Sequence, residues 1–275
     1  MLEATLLALG SAVLHPMWNL IIKTSEARFL TAWGLYLAGA LLFLPVLPFV
    51  GVPGAAVLPY LVASSAVHVF YVAALVRAYH HGDFSLAYPL ARGGGALLAA
   101  LGGVLFLGDV LPALAWLAIA VVVGGLASFV RPSVSRAALL WAGLTAATIG
   151  TYTTIDSEGA RRSSGLGYGI AIVGGAALAL TAAGVARGRS AALLRSVRGN
   201  WRRSLVAGAC LTIAYSMVLT AVRLAPVGYV AALRESSVVL GAGAGWLLLH
   251  ERLGRARLAS SAVVTAGLVL LVVWR

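Results

Sequence analysis

The sequence predicts an all-α membrane protein of ten transmembrane helices, built as two inverted repeats of five. Three observations predict it. Hydrophobic residues make up 61% of the 275-residue chain and charged residues only 10%, with a mean hydropathy of +0.98, whereas soluble domains carry roughly a quarter charged residues. No polar stretch is long enough for a separate soluble domain, and at ~20 residues plus a short turn per span the chain holds about ten spans. Finally, two segments 142 positions apart share one pattern: Ala91–Leu111 (ARGGGALLAALGGVLFLGDVL) and Leu233–Leu253 (LRESSVVLGAGAGWLLLHERL). In each, an arginine (Arg92, Arg234) leads an apolar, glycine-rich run that ends at an acid (Asp109, Glu251). A duplicated helix with a charge inside its apolar stretch suits an internally repeated transporter.

The elements follow in order. Leu2 to Ile22 has no basic region before it and no small-residue cleavage site, so it reads as a retained first span. Apolar runs at 30–50, 57–79, 84–107 and 111–130 supply the next four, with HHGD (His80 to Asp83) marking the turn between the third and fourth. Runs at 136–156, 165–186, 204–222, 227–249 and 255–274 supply the rest, with Arg223 to Pro226 parting the eighth from the ninth. The longest polar run, Arg187 to Arg203, reads as a loop lying on anionic lipid, with Leu194, Val197 and Trp201 dipping in. The first repeat is therefore 1–131 and the second 132–275. Five helices per copy, an odd number, give the copies opposite orientations.

The charge of +12 is topological rather than a nucleic-acid footprint, because the basic residues gather at apparent helix ends and form no separate basic face. With both termini on one side, fourteen of the 20 Lys and Arg residues fall on the opposite side and four on the termini's own, leaving Arg92 and Arg234 inside the membrane. The positive-inside rule then puts both termini in the periplasm of an inner-membrane protein. The single Cys210 excludes an intrachain disulfide.

The segments GDFSLAYPLARGGGALLAALGGVLFLGDVLP and RLAPVGYVAALRESSVVLGAGAGWLLLHERLGRARLASSAVVTAGLVLL resemble the two EamA repeats of the drug/metabolite transporter superfamily. SAVLHPMWNLIIK resembles the start of the first repeat and TYTTIDSEGARRS that of the second, with Asn19 and Asp156 roughly equivalent. The resemblance spans essentially the whole chain. It implies ten helices around a central cavity between the halves, with alternating access. Members export amino acids, aromatic compounds and other metabolites; eukaryotic relatives carry nucleotide sugars or sugar phosphates. YddG-type exporters of aromatic amino acids are one such subgroup, and no residue here separates them cleanly from other EamA proteins.

Candidate residues follow. Arg92 and Arg234 sit about two turns inside a helix, roughly 12 Å from its start, where an unpaired cation costs a few kcal/mol or more. They serve either as a cationic lining for a carboxylate or phosphate, or as structural arginines paired with an acid such as Glu235 or Asp156; their duplication favours a pair at the seam between halves. Asp156 and Glu235 are the best carboxylates for proton coupling, although pairing with arginine is the favoured role for each. His15, Trp18 and Asn19 share one face of the first helix, beside Pro16, which removes a backbone bond. Trp18, Tyr71, Tyr79 and Tyr215 lie on helices that face the cavity in this family, where aromatic walls suit planar or apolar substrates; core packing is the alternative for each. Gly93, Gly103, Gly241 and Gly245 are read as close helix packing, with Gly241 and Gly245 forming G-x-x-x-G. No metal, nucleotide or serine-hydrolase motif occurs and no cofactor is implied. The expected partners are a small-molecule substrate and the lipid bilayer, with the chain a monomer. The rival from another class is a membrane-embedded enzyme acting on a lipid-linked substrate, for which the repeat supplies no acid–base pair or nucleophile at a recognisable spacing.

Overall fold

A computed structural model describes residues 1–110, 114–128, 134–251 and 254–273, and among these the fold is entirely helical. The expected start of the fifth span at 111, the matched Leu111 and Leu253, and Arg275 lie outside the described residues.

The first helix, α1 (Leu2–Lys23), runs through Pro16 without a break. The second, α2 (Arg28–Phe43), ends earlier than the expected span because Pro45 and Pro48 cannot continue an α-helical ladder. The chain instead makes a 3₁₀ turn and the short α3 (Leu47–Val50), then turns at Gly51, whose φ of 103° suits glycine. Next come α4 (Leu58–His81) and α5 (Phe84–Phe106), separated by only two residues, then α6 (Ala115–Ala127) and α7 (Arg136–Arg161). Ser135 starts α7 by accepting the Ala138 N–H at 3.1 Å, and Ser164 starts α8 (Gly165–Ala186) by accepting the Gly167 N–H at 3.2 Å. Each satisfies a donor that the first turn would otherwise leave open.

Two sequence expectations are corrected at this point. The polar run Arg187–Arg203 is not a loop: α9 begins at Ser190 and continues unbroken to Leu224. Nothing in Ser190–Arg203 breaks a helix except Gly199, and the exposed Leu194 and Trp201 share the run with arginines in an interfacial pattern; the side chain of Val197 lies outside the described set. The expected ninth helix is not continuous. It divides into α10 (Val227–Arg234) and α11 (Ser236–Leu247) at Glu235, so Arg234 ends a helix instead of lying within one. The chain closes with α12 (Gly254–Val273).

Among the described residues, six stretches are long and apolar enough to cross a bilayer: Leu2–Lys23, Arg28–Val50, Ala55–His81, Phe84–Phe106, Gly165–Ala186 and Trp201–Leu224. The outer surface of the bundle is apolar, with Leu6, Val13, Leu41, Phe70, Leu105 and Leu178 exposed, while His15, Asn19, Arg92, Asp156 and Glu235 are buried. That distribution inverts the soluble pattern and suits a lipid solvent. The most extensive packings set α5 and α4 on α7, α2 and α1 on α9, and α12 on α6. Each joins residues before 132 to residues after it, so the interior is built jointly by both parts of the chain.

The C-terminal ends of α5 and α11 have the same local form. The N–H of Asp109 reaches back to the carbonyl of Gly103 (3.0 Å), and that of Glu251 to Gly245 (3.1 Å). The residue before each acid is left-handed, Gly108 at φ 71° and His250 at φ 52°. The two helix ends thus share a six-residue reach back around a left-handed residue, repeated with the 142-residue spacing.

Candidate functional site

Helices α1, α2, α4, α7, α8 and α9 meet around a small interior cavity lined by His15, Trp18, Tyr36, His68, Tyr71, Tyr152, Ile172, Val173, Leu211 and Tyr215. Its volume, about 20 Å³, has room for a water and little more. Its rings touch one another. His68 lies 4.4 Å from Tyr152, 5.9 Å from both Tyr36 and Tyr71, and 6.3 Å from Tyr215, centroid to centroid. Tyr71 and Tyr152 meet edge to face at 5.3 Å, and His15 meets Trp18 in the same way at 4.9 Å. Such edge-to-face packing is the favoured arrangement of quadrupolar rings. It leaves π faces and edges around a space that a planar group could enter if the helices part.

Behind this wall lies a buried acid. Asp156, on α7, is fully buried; it accepts the Tyr168 hydroxyl on one oxygen at 3.0 Å and the Tyr215 hydroxyl on the other. Tyr168 reaches it because Gly159, one turn on, leaves room for the phenol ring, which a Cβ would strike. Tyr215 therefore has two jobs: its ring lines the cavity and its hydroxyl holds the acid. Asn19 holds a comparable position, accepting the Tyr79 hydroxyl at 2.7 Å while its amide donates to the His15 carbonyl at 3.0 Å. The two matched helix positions thus each anchor a tyrosine.

The two interior arginines differ in their surroundings. Arg92 is 4% exposed and forms an ion pair with the fully buried Glu235. Arg234, 3% exposed, has no carboxylate within ion-pair distance among the described residues, and its Nε has no hydrogen-bond partner. Glu235 lies at the α10–α11 junction, and its carboxylate meets Arg92 of α5. Neither guanidinium is on the cavity lining, and among the described residues these two buried arginines share one ion pair.

Of the residues proposed from sequence, His15, Trp18, Tyr71 and Tyr215 are brought together on the cavity wall. Asn19 and Tyr79 are not on it; they are bound to each other within the core. Arg92 is committed to Glu235. Asp156 is held by tyrosines instead of the expected arginine. Among the glycines, Gly241 lies against the Tyr88 ring, Gly103 and Gly245 lie beneath the Asp109 and Glu251 carboxylates, and Gly93 is buried in α5. Sequence reasoning passed over His68 and Tyr36. A histidine in the middle of the apolar run 58–81 is itself a signal of a membrane site, and its position three residues before Tyr71 places both on one helix face.

The sequence profile of the EamA-like transporter family matches residues 136–273. No curated protein matches the chain in sequence. One solved crystal structure, described only as that of a protein, shares the fold with a TM-score of 0.68 and 14% sequence identity, each chain covered over 99% of its length. At that identity the likeness shows the fold alone.

Proposed function

The chain belongs to the EamA-like transporter family, a multi-pass membrane transporter of small metabolites, and from that premise we propose that it exports amino acids, aromatic ones among them, by alternating access. The proposed frame is ten spans in two inverted repeats, 1–131 and 132–275, set in the inner membrane with both termini in the periplasm. The YddG-type subgroup is the closest match to that substrate choice.

The observation that carries the substrate class is the ring-lined cavity with unequal charges around it. Five Tyr and Trp rings and two imidazoles supply faces for an aromatic or apolar side chain. Arg234, buried and unpaired, suits the carboxylate. Asp156, one hydrogen bond behind the wall at Tyr215, supplies negative potential for the ammonium. At about 20 Å³ the cavity is in a closed form, so loading requires the helices to part, as alternating access demands. A nucleotide-sugar or sugar-phosphate carrier would face a phosphate dianion with one unpaired guanidinium, which is a weaker match. Asp156 and Glu235 are the groups through which a proton would be coupled, and Asp156 is the better placed because no cation neutralises it directly.

Purified protein in liposomes loaded in parallel with phenylalanine, alanine, a sugar phosphate and a nucleotide sugar tests this. Efflux of the amino acids, lost in Arg234→Gln with the fold retained, is the expected result. Selective efflux of the phosphorylated compounds would replace this reading with the carrier alternative.

A further inference from the structure

The acids that close the two matched segments are each built into the other segment's helix. Glu251, beyond the end of α11, accepts the N–H groups of Phe84 (2.5 Å) and Ser85 (2.8 Å), the first two residues of α5. Asp109, beyond the end of α5, accepts the N–H of Val227, the first residue of α10, at 3.0 Å. The relation is reciprocal: each arginine helix ends in the acid that caps the other. Both contacts can form only if α5 runs antiparallel to α10–α11, so they sit at opposite ends of the pair. The 23 residues of α5 put about 34 Å between them, close to the full hydrocarbon thickness of a bilayer.

The local sequence is shaped for these contacts. Each acid is turned back over its own helix by the left-handed residue before it, Gly108 or His250. The carboxylate then lies where a side chain would otherwise be: a Cβ on Gly103 would come within 2.7 Å of Asp109, and one on Gly245 within 2.6 Å of Glu251. The first N–H groups of a helix have no partner within it and carry the positive end of its dipole, so a carboxylate there satisfies both. The two contacts are not identical. Asp109 also receives the Arg161 guanidinium at 3.1 Å, and a surface depression of about 500 Å³ opens beside it.

We infer that Asp109 and Glu251 are the closing contacts of the two mouths, positioning residues that decide which face of the transporter opens. This rests on the alternating-access reading. For one mouth to part at α5 and α10–α11, its acid must leave the helix start it caps while the opposite acid holds. In the structure both are made, and the small cavity, lined from α1, α2, α4, α7, α8 and α9, is closed. Loss of one contact biases the protein towards opening at that end; loss of the other biases it the opposite way.

The test uses pairs of spin labels in the full-length protein with Cys210→Ser. His81→Cys with Leu248→Cys reports the Glu251 mouth, and Leu105→Cys with Leu224→Cys reports the Asp109 mouth, all four positions being exposed. Glu251→Gln is expected to raise the long-distance population of the first pair about tenfold, the scale of a partly buried charge at a helix N-terminus, and to leave the second pair unchanged. Asp109→Asn is expected to do the reverse. Glutamine and asparagine keep an acceptor oxygen, and Gly245→Ala provides a second route to the Glu251 phenotype by displacing its carboxylate. If both pairs respond alike to each variant, or neither responds, the inference is overturned. Liposome flux by the unlabelled protein is measured alongside: flux without a mouth-specific response removes this inference alone, whereas a mouth-specific response without flux removes the transport reading.

Discussion

Removing Glu235 should damage the protein more than removing the arginine it binds, and should invert the effect of that arginine. Glu235→Gln leaves Arg92 and Arg234, 4% and 3% exposed, as two buried cations with no ion-pair partner among the described residues. Truncating one member of a buried pair typically costs about 3–5 kcal/mol because the other charge is left uncompensated, and here two are left. Arg92→Met leaves one carboxylate and one guanidinium. Arg234 is adjacent to Glu235 in the chain, and Glu235 Oε2 has no hydrogen-bond partner that would have to be given up. Repairing that pair reduces the loss to about 1–2 kcal/mol, close to that of a charged hydrogen bond. In the Glu235→Gln background, Arg92→Met deletes one of two stranded cations, so it should stabilise. The assay is equilibrium unfolding in mixed detergent micelles across the four-member cycle, read by tryptophan fluorescence. Destabilisation by Arg92→Met in both backgrounds would refute the charge balance argued here.

Three further outcomes are expected. His250 occupies a left-handed position that costs a non-glycine residue roughly 1–2 kcal/mol, part of which is offset by glycine's own entropy; His250→Gly should gain about 0.5–1 kcal/mol in the same unfolding assay, while Gly108→Ala at the matched position should lose about 1 kcal/mol. Tyr215→Phe removes one of two phenol donors to Asp156 while keeping the ring in the cavity wall; stability should fall by about 1–3 kcal/mol, and Tyr215→Leu, which also loses the ring, should weaken substrate binding further in a direct binding measurement. Gly241→Ala drives a methyl into the Tyr88 ring and should cost about 1–3 kcal/mol, with Tyr88→Leu restoring part of it in a thermal melt.

Much of the frame was legible because lipid imposes it. Apolar runs and the charges between them gave most helix positions to within a few residues, and Gly165–Ala186 as the span 165–186. The departures have local causes. Pro45 and Pro48 stop α2 early, and the arginine-rich stretch 190–203 is helical although no run of hydrophobicity announces it, because arginine and leucine are good helix formers wherever water or lipid headgroups receive the charge. The break at Glu235 was hidden for another reason: the sequence around it favours a helix, and the break coincides with a partner, Arg92, that lies 143 positions away. The site divides in the same way. His15, Trp18, Tyr71 and Tyr215 could be picked out as polar or aromatic residues in apolar helices. That Asn19 takes Tyr79, or that Arg92 takes Glu235 and leaves Arg234 outside any ion pair among the described residues, depends on partners across the bundle that no spacing along the chain reveals.

The matched arginine segments share a pattern in the sequence, but a shared pattern alone does not say what the two segments do for one another. Three contacts between α5 and α10–α11 give an order to it: Glu251 on the start of α5, Arg92 with Glu235 within the pair, and Asp109 on the start of α10. Arg92 lies eight residues from the start of α5, about 12 Å in, so the ion pair falls between the two caps. A hinge between two closures needs to resist separation while tolerating a change of angle. A buried guanidinium–carboxylate pair does so, since its attraction is large in a low-dielectric interior and changes little over a small tilt. The caps behave differently. A carboxylate on helix N–H groups depends on donor geometry, and once displaced towards the membrane face it is solvated by water. Strong coupling at the centre with water-replaceable closures at each end is the energetic arrangement that the proposed alternating access requires, with one end parting while the other holds.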